Sequence, residues 1–215
     1  MPIYNGINFI EESVSSVLDQ TYDNWELIIG INGHPANSPV YQIAKEYELR
    51  STKIRVIDYV DIKGKPNALN LMTKECSGSY VALLDVDDIW HCKKLEIQSP
   101  KMNEYDVIGT RCVYFGDLNG IVPAIPMGDI SGRDFTAVNP IINSSSLIRK
   151  ELCWWDPNCF VGIEDYDLWL RLRNKGHTFF NFSDIAVKHR IHTESAFNSK
   201  GNHLHVANLI QSHKS

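Results

Sequence analysis

The chain has 215 residues, of which 43% are hydrophobic and 22% charged, and its formal net charge is −5. This length and balance are typical of one globular domain with a full core. The acidic charge disfavours a nucleic-acid-binding protein, because no basic field is present to hold a phosphate backbone. No stretch reaches the roughly 20 apolar residues that cross a bilayer, and the five cysteines lack CxxC spacing. We therefore expect a soluble, cytoplasmic protein, peripheral to a membrane at most, without a transmembrane segment.

Strand and helix patterns alternate through the first half of the chain. After Asn8, a helix is predicted from apolar positions that recur on one face up to Leu18. The elements predicted next are a strand over 26–31, a helix over 40–49, a strand over 54–57, a helix over 67–76 and a strand over 80–84. This alternation favours a mainly parallel sheet that helices cover on both faces.

The second half has a more mixed pattern. Its predicted elements are strands over 106–110 and 111–115, a long connection over 116–133, a strand over 144–148, a helix over 165–174 and strands over 177–182 and 185–189. From Thr193 the chain is polar, so residues 196–215 are predicted to form a tail or a short helix near Val206. We expect a single α/β domain over residues 1–215, which could be one domain of a longer protein.

The predicted strand over 80–84 runs directly into three acids, Asp85, Asp87 and Asp88. Because side chains alternate along a strand, Asp85 and Asp87 share a side and Val86 turns into the packing. Carboxylates this close repel one another, and a divalent cation commonly relieves the repulsion. The segment predicts a metal that binds a phosphorylated ligand; the alternative is a solvated acidic turn.

A second acidic segment, Glu164 and Asp165, opens the predicted helix over 165–174. Acids at a helix start are favoured by the helix dipole, so a capping role is one interpretation. The other is a general base fixed beside a bound electrophile. Just before this segment, Trp154 and Trp155 could stack on the apolar faces of a sugar acceptor or could belong to the core.

Five segments in order resemble the successive motifs of glycosyltransferase family 2. They are Pro2–Gly6, Glu26–Ile29, Lys65–Asn70, Leu84–Asp88 and Glu164–Arg171. The resemblance extends from Pro2 to about Ser195. It implies a GT-A-like nucleotide-binding fold, a nucleotide-diphosphate-sugar donor and inversion at the anomeric carbon.

The resemblance also implies roles by position. Asp85 would form a hydrogen bond with the ribose, Asp87 would ligate Mn²⁺ or Mg²⁺, and Asp88 would lie near the donor sugar. Asp165 would be the base, and Glu164 would orient the acceptor or the base. The residues implied to line the nucleotide sugar are Pro2, Tyr4, Gly30, Ile31, Asn32, Lys65, Asn67 and Val86.

Near the C-terminal end, the resemblance implies an Arg-x-His element. Arg190 would then bind the diphosphate and His192 would be a further metal ligand, with His189 as the competing candidate. Two features depart from the family pattern. The apolar strand that normally precedes Pro2-x-Tyr4 is truncated, encoded upstream or reduced to Ile3 and its neighbours, and Asn32 stands where many relatives carry an acid. Uridine remains the favoured base, with thymidine second.

These observations predict a metal-dependent inverting glycosyltransferase. It would move a hexose or deoxyhexose from a UDP-sugar, such as UDP-glucose, to a hydroxyl of a glycan, glycoprotein or lipid-linked acceptor. One alternative is a non-catalytic nucleotide-sugar-binding module. Another is a phosphatase of the haloacid-dehalogenase type, in which Asp85 would be the nucleophile.

Overall fold

In the computed structural model, which describes residues 1–160, 162–193 and 203–214, the strands form two sheets. The strands are β1 (Pro2–Ile3), β2 (Leu27–Asn32), β3 (Ile54–Tyr59), β4 (Tyr80–Ala82), β5 (Ile89–Trp90), β6 (Val107–Gly116), β7 (Gly128–Asp129), β8 (Leu147–Arg149) and β9 (Phe179–Ile191). The helices are α1 (Ile10–Leu18), α2 (Pro39–Lys45), α3 (Lys65–Glu75), α4 (Lys94–Gln98), α5 (Glu164–Asn174) and α6 (His203–His213).

The first sheet has the order β1–β2–β3, and all its strands are parallel. Every residue of β2 is buried, as expected of a central strand that is covered on both faces. Pro2 pairs with Gly30 and Ile3 with Ile31, so a two-residue strand is present before Tyr4. Because parallel strands end at one edge, the residues that follow β1, β2 and β3 lie along the same side of the sheet.

The second sheet has the order β4–β8–β6–β9–β5, with β7 also paired to β9. The long strands β6 and β9 are parallel, whereas the other strand pairs of this sheet, within the described residues, are antiparallel. The predicted mixed α/β class is confirmed, but parallel pairing dominates only the first sheet. The two strands predicted over 177–182 and 185–189 are one strand, β9, with irregular register opposite residues 109–112.

Several predicted boundaries differ from the observed ones. The helix predicted over 40–49 is α2 followed by a 3₁₀ turn, Glu46–Arg50. Helix α3 begins at Lys65, because Pro66 in its first turn has the backbone angle that a helix start requires. The strand predicted over 144–148 opens with a 3₁₀ turn, Asn143–Ser145, which leaves only β8. Strand β5 and helix α4 were not predicted, because both are very short.

Two clusters of buried side chains form the core. The first packs around β1–β3 and α1, and the second around α5, β8 and β9. Leu83 belongs to the second cluster, whereas Leu84 and Val86 belong to the first. The segment that leads into the three acids is thus anchored on both sides. Each fully buried side chain of this size contributes roughly 1.5–3 kcal/mol.

Helix α6 lies in the region predicted as a tail or short helix. Its apolar side chains Val206, Leu209 and Ile210 pack against the second core cluster. Residues 194–202 lie outside the described ranges. Within those ranges, no helix has both the length and the apolar content needed to cross a membrane.

Candidate active site

The acidic segment forms a tight turn after β4. The amide of Asp88 donates to the carbonyl of Asp85 over 3.1 Å. Val86 is buried, as predicted, and its side chain packs in the first core cluster. Its Cγ1 would lie 3.1 Å from a Cβ on Gly6, whose φ of +85° favours glycine. The loop after β1 therefore packs directly on the acidic turn.

Asp85 is bound by groups from two distant parts of the chain. Its Oδ1 lies 2.6 Å from Nζ of Lys65, and its Oδ2 accepts from Nδ2 of Asn143 at 2.8 Å. Its backbone amide donates to Oγ of Ser144 at 3.0 Å. Burial raises the pKa of Asp85, but the Lys65 ammonium and the Asn143 hydrogen bond outweigh it, and the pKa is lowered overall. Asp85 is therefore ionised at neutral pH.

Asp88 is fully buried, at 0% exposure, and its carboxylate bonds only to β9 in the described structure. Its Oδ2 lies 2.9 Å from Nδ1 of His189, and its Oδ1 accepts from the Arg190 amide at 2.8 Å. The prediction that Asp88 lies against the donor sugar is therefore wrong, because no surface of this side chain is open to a ligand. Asp88 instead ties the acidic turn to β9.

His189 is the positive partner of Asp88. Burial lowers the pKa of His189, but the adjacent Asp88 carboxylate outweighs burial and raises it to about 9. His189 is thus protonated at neutral pH and engaged inside the protein. Of the two histidines considered as metal ligands, it is the less suitable, because a metal binds only a neutral imidazole.

Asp87 faces His192 instead. The Oδ2 of Asp87 lies 2.8 Å from Nε2 of His192, and both side chains are partly exposed. Burial raises the pKa of Asp87, and the nearby carboxylates of Asp88 and Asp85 raise it further. This concentration of negative potential is what a bound cation would relieve.

Arg190 is held among aromatic rings beside the same turn. Its guanidinium carbon lies 4.4 Å from the Phe9 ring centre and 4.2 Å from that of Phe115. Its Nε donates to the carbonyl of Asp87 at 2.9 Å, and Nη2 pairs with Glu12 at 2.5 Å. In this arrangement Arg190 braces the backbone of Asp87. The predicted contact with a diphosphate stays a prediction.

Glu164 and Asp165 form the first turn of α5, and Lys65 joins them to the acidic turn. Glu164 is only 3% exposed. Its Oε1 lies 3.4 Å from Nζ of Lys65, and its Oε2 accepts from the amide of Gly162 at 2.5 Å. Burial lowers the pKa of Lys65, but Asp85 and Glu164 outweigh burial and raise it overall. One lysine therefore bridges the two acidic segments that the sequence singled out.

Asp165 differs from its neighbours because no side chain in the described ranges donates a hydrogen bond to it. Burial and the adjacent Glu164 carboxylate raise the pKa of Asp165 to about 7, against the lowering effect of Lys65. A carboxyl group that titrates near neutrality is suited to accept and release a proton.

The residues predicted to line a nucleotide divide into two groups. Tyr4 and Asn32 lie at the ends of β1 and β2, where Tyr4 is 57% exposed and Asn32 only 3%. The ring of Tyr4 lies close over Gly33, where a Cβ would be 2.8 Å from it. The Asn32 amide contacts the carbonyl of Ile62 at 3.5 Å, in the loop before α3. In α3, the exposed Asn67 donates to the carbonyl of Lys63 at 2.9 Å.

Gly30 and Ile31 lie inside the first sheet and do not line an open site. Ile31 is a core residue, and Gly30 packs so tightly on Met72 that a Cβ would lie 2.5 Å from its sulfur. Their predicted contact with the nucleotide is therefore wrong. Pro2 pairs with Gly30 in β1 and is half-buried, which leaves Tyr4 as the outward residue of that strand end.

The two tryptophans have different surroundings. Trp155 is 0% exposed and packs in the second core cluster, so the core interpretation applies to it and its predicted acceptor contact is wrong. Trp154 is 52% exposed, with the Arg171 guanidinium 4.9 Å from its ring centre. It lines a cavity of about 1160 Å³ between α3 and residues 150–154.

Asp87 and His192 fit a cation that is shared with a ligand. A carboxylate oxygen and an imidazole nitrogen are suitable donors for Mn²⁺. No group of three or more His, Cys, Asp or Glu able to hold a metal occurs in the part of the chain that is described. Mg²⁺-type sites commonly use one or two protein ligands and fill the rest with phosphate oxygens and water. The pair therefore suits a metal bound together with a diphosphate.

Sequence reasoning did not identify Asn143, Ser144 or Phe115 as neighbours of the acidic turn. The polar run Asn143–Ser146, at the head of a predicted strand, is the signal that could have revealed the first two.

The fold is that of GT-A glycosyltransferases. S. aureus TarS 1–349 in complex with UDP superposes with a TM-score of 0.71, covering 99% of this chain and 63% of that chain at 16% identity. A mannosyltransferase from Pyrobaculum calidifontis, in complex with GDP-Man and Mn²⁺, gives a TM-score of 0.65 over 91% of this chain and 56% of that one, also at 16% identity. At these identities the likeness establishes the fold alone.

Residues 1–165 match Glycosyl transferase family 2, and the chain belongs to that family. The predicted family is thereby confirmed, and the haloacid-dehalogenase alternative has no support.

The individual relatives described next are each less than 30% identical to this chain. An uncharacterized glycosyltransferase of Rickettsia conorii is 29% identical over 227 residues, which are 99% of this chain but only 37% of that protein. The Escherichia coli UDP-Glc:alpha-D-GlcNAc-diphosphoundecaprenol beta-1,3-glucosyltransferase WfgD is 29% identical over 93% of this chain and 79% of its own length. A putative teichuronic acid biosynthesis glycosyltransferase of Bacillus subtilis, TuaG, is 28% identical, with coverages of 93% and 80%. The chain thus spans about a third of the R. conorii relative.

Proposed function

We propose that this domain transfers a hexose or deoxyhexose from a nucleotide-diphosphate sugar to an acceptor hydroxyl, with inversion and with a divalent cation. The observation that carries this proposal is the bridge made by Lys65. It joins the ionised Asp85 to Glu164, beside Asp165, so a donor-binding segment and a proton acceptor form one site.

The donor end is assigned to the edge where β1, β2 and the acidic turn meet. Asp85 accepts hydrogen bonds from the ribose, and Tyr4 and Asn32 contact the base. A UDP-sugar, such as UDP-glucose, is the favoured donor. Support comes from TarS, which was crystallised with UDP and with UDP-GlcNAc, and from WfgD, whose name specifies UDP-Glc.

Asp87 and His192 are the residues that would hold Mn²⁺ or Mg²⁺. A bound cation of this kind acts as a Lewis acid that neutralises charge on a departing diphosphate. Its use is supported by the Pyrobaculum mannosyltransferase, whose complex contains GDP-Man and Mn²⁺. Arg190 fixes the carbonyl of Asp87 and so keeps the turn in position.

Asp165 is the general base. It takes the proton from the acceptor hydroxyl as the new carbon–oxygen bond forms and the bond between sugar and diphosphate breaks. The base and the leaving group lie on opposite sides of the sugar, so the anomeric configuration inverts. The pKa of about 7 places Asp165 near the pH at which proton transfer is most efficient.

The acceptor is assigned to the side of Trp154. The exposed ring can stack on the apolar face of a sugar, and the adjoining cavity has room for several such rings. A glycan attached to a lipid is the favoured acceptor among glycan, glycoprotein and lipid-linked classes, because WfgD is named for a diphosphoundecaprenol substrate.

A thermal-shift screen tests the proposal directly. The chain is heated with UDP-Glc, UDP-GlcNAc, GDP-Man or a thymidine-diphosphate sugar, with and without Mn²⁺. Binding to the folded state alone raises stability by about 2.7 kcal/mol at a ligand concentration of 100 Kd. We expect the largest rise in Tm for a UDP-sugar with Mn²⁺.

Two variants serve as test and control. Asp87→Asn is expected to remove the Mn²⁺-dependent part of the shift, whereas Asp184→Asn, at an exposed position on β9, keeps it. An unchanged Mn²⁺-dependent shift in Asp87→Asn would contradict the metal assignment. If the chain binds the donor but releases no nucleoside diphosphate in the presence of any acceptor, the non-catalytic module is favoured.

A further inference from the structure

A lysine lies in the core behind the acidic turn. Lys94, in α4, is fully buried, and none of the described carboxylates forms an ion pair with it. Its Nζ donates to Oε1 of Gln98 at 2.8 Å and lies 4.1 Å from the ring centre of Trp90. Burial without a counter-ion lowers the pKa of Lys94 well below its usual value. Burying an amine without a counter-ion is costly, so a lysine at this position calls for a structural explanation, which its hydrogen-bond partners supply.

Both partners of Lys94 bind the same turn, Asn143–Ser145. The Gln98 Nε2 donates to the carbonyls of Ser145 and Ile108, each at 2.8 Å. The Trp90 indole N–H donates to the carbonyl of Ser144 at 2.7 Å. The two carbonyls that Gln98 binds require its Nε2, which leaves Oε1 in need of a donor inside the core. Lys94 supplies that donor and so fixes the orientation of the amide.

The far side of this turn binds Asp85, through the Asn143 amide and the Ser144 hydroxyl. The turn is therefore hydrogen-bonded on one side to the core and on the other to Asp85, the carboxylate that the proposed donor contacts. The position of Asp85 is fixed on both sides. Lys65 forms an ion pair with one carboxylate oxygen, and the turn hydrogen-bonds the other oxygen and the backbone amide.

We propose that Trp90, Lys94 and Gln98, the buried triad, are positioning residues that hold the Asn143–Ser145 turn and thereby Asp85 for the donor. This inference rests on the proposed donor role of Asp85. The triad touches no reacting atom. It sets the depth of the turn behind the acidic segment.

The test compares two buried glutamines, Gln98 at the end of α4 and Gln20 just after α1. Gln98→Glu keeps an acceptor for Lys94 and the shape of the side chain. It loses the two donated bonds, one to Ser145 of the turn and one to Ile108 of β6. The control, Gln20→Glu, loses equivalent bonds to the carbonyls of Ser16 and His91, neither of which touches the turn. Both variants are expected to lower Tm.

Only Gln98→Glu is expected to weaken UDP binding, with Kd in the presence of Mn²⁺ raised about tenfold by titration calorimetry, the effect of about one lost hydrogen bond. Trp90→Phe, a milder change that removes only the indole donor, is expected to act in the same direction and serves if Gln98→Glu does not fold. In a Ser144→Ala background the effect of Trp90→Phe shrinks, because one of the turn's two hydrogen bonds to Asp85 is already lost.

A readout without ligand separates this inference from the proposed function. Amide hydrogen exchange over residues 83–88 is expected to be faster in Gln98→Glu than in Gln20→Glu at matched stability. If the wild-type chain binds no nucleotide, the proposed function fails, and exchange still decides the role of the triad. Equal exchange and equal UDP affinity in the two glutamine variants would overturn the inference.

Discussion

The acidic turn and the start of α5 present carboxylates in opposite conditions. In the turn, Asp85 and Asp88 are held by hydrogen bonds and ion pairs from α3, β9 and the Asn143–Ser145 turn. At the start of α5, Asp165 receives no hydrogen bond from a described side chain, and its pKa is raised to about 7. The two carboxylates of the turn are thus fixed by side-chain partners, whereas Asp165, the proposed proton acceptor, lacks such a partner. Lys65 forms an ion pair with each segment, through Asp85 in the turn and Glu164 in α5.

The largest expected effect follows from removing the proton acceptor. Asp165→Asn keeps the size of the side chain but cannot take the acceptor proton, so kcat is expected to fall about 1,000-fold, within the range for general-base catalysis. Donor affinity should stay the same, because the donor is held at the other segment. Initial rates of nucleoside diphosphate release and calorimetric Kd measure the two quantities, with Asp184→Asn as control. A kcat within tenfold of wild type removes Asp165 from the mechanism.

The bridge between the two segments is tested by Lys65→Met. The change leaves Asp85 and Glu164 without their cation, and breaking such a buried pair costs about 3 kcal/mol of unfolding free energy. Urea denaturation measures the loss, against Lys93→Met at an exposed position. Equal stability of the two methionine variants would show that the bridge does not hold the site together.

The raised pKa of Asp165 predicts a pH dependence of opposite sign for rate and stability. Below pH 7 the base is protonated, so kcat should rise about tenfold per pH unit and level off above about 7. Between about pH 3.8 and about 7 the folded state keeps a proton that the unfolded state has lost, so the unfolding free energy should decrease as the pH rises.

Rate profiles and urea titrations at several pH values test both signs. Asp165→Asn lacks this ionisation, and its stability should therefore lose that part of the pH dependence. If the unfolding free energy changes with pH by the same slope in the wild type and in Asp165→Asn between about pH 3.8 and about 7, the raised pKa of Asp165 is contradicted.

The smallest expected effect concerns the acceptor side. Trp154→Ala should raise the acceptor KM about fivefold, the value of a single aromatic stacking contact, with donor KM unchanged. The neighbouring Trp155→Phe should instead lower stability, because it leaves a cavity in the second core cluster. If both variants change only stability, the acceptor does not stack on Trp154.

The two acidic segments were predictable from the sequence because their signals are local: an apolar run that ends in acids, and acids that open an amphipathic helix. The burial of Asp88 was not predictable in this way, since it depends on the register of β9. That register places His189 against Asp88 and leaves His192, past the strand end, against Asp87. The sequence alone left this choice open.

The errors at Gly30 and Ile31 have a related cause. Family motifs mark a stretch of chain, but Gly30 and Ile31 lie inside the buried strand β2, whereas Asn32 is its last residue. Asn143 and Ser144 were missed because their partner, Asp85, is far away in the chain and the 3₁₀ turn that carries them resembles a strand in sequence.

Leu83 and Leu84 point into different core clusters just before the acidic turn. A single peptide unit thus links the interior of the parallel sheet to that of the mixed sheet. Loosening of either interior would displace the carboxylates of the acidic turn, and binding of the proposed nucleotide there would stabilise both interiors. The two halves of the domain are therefore expected to melt as one cooperative unit when nucleotide is present.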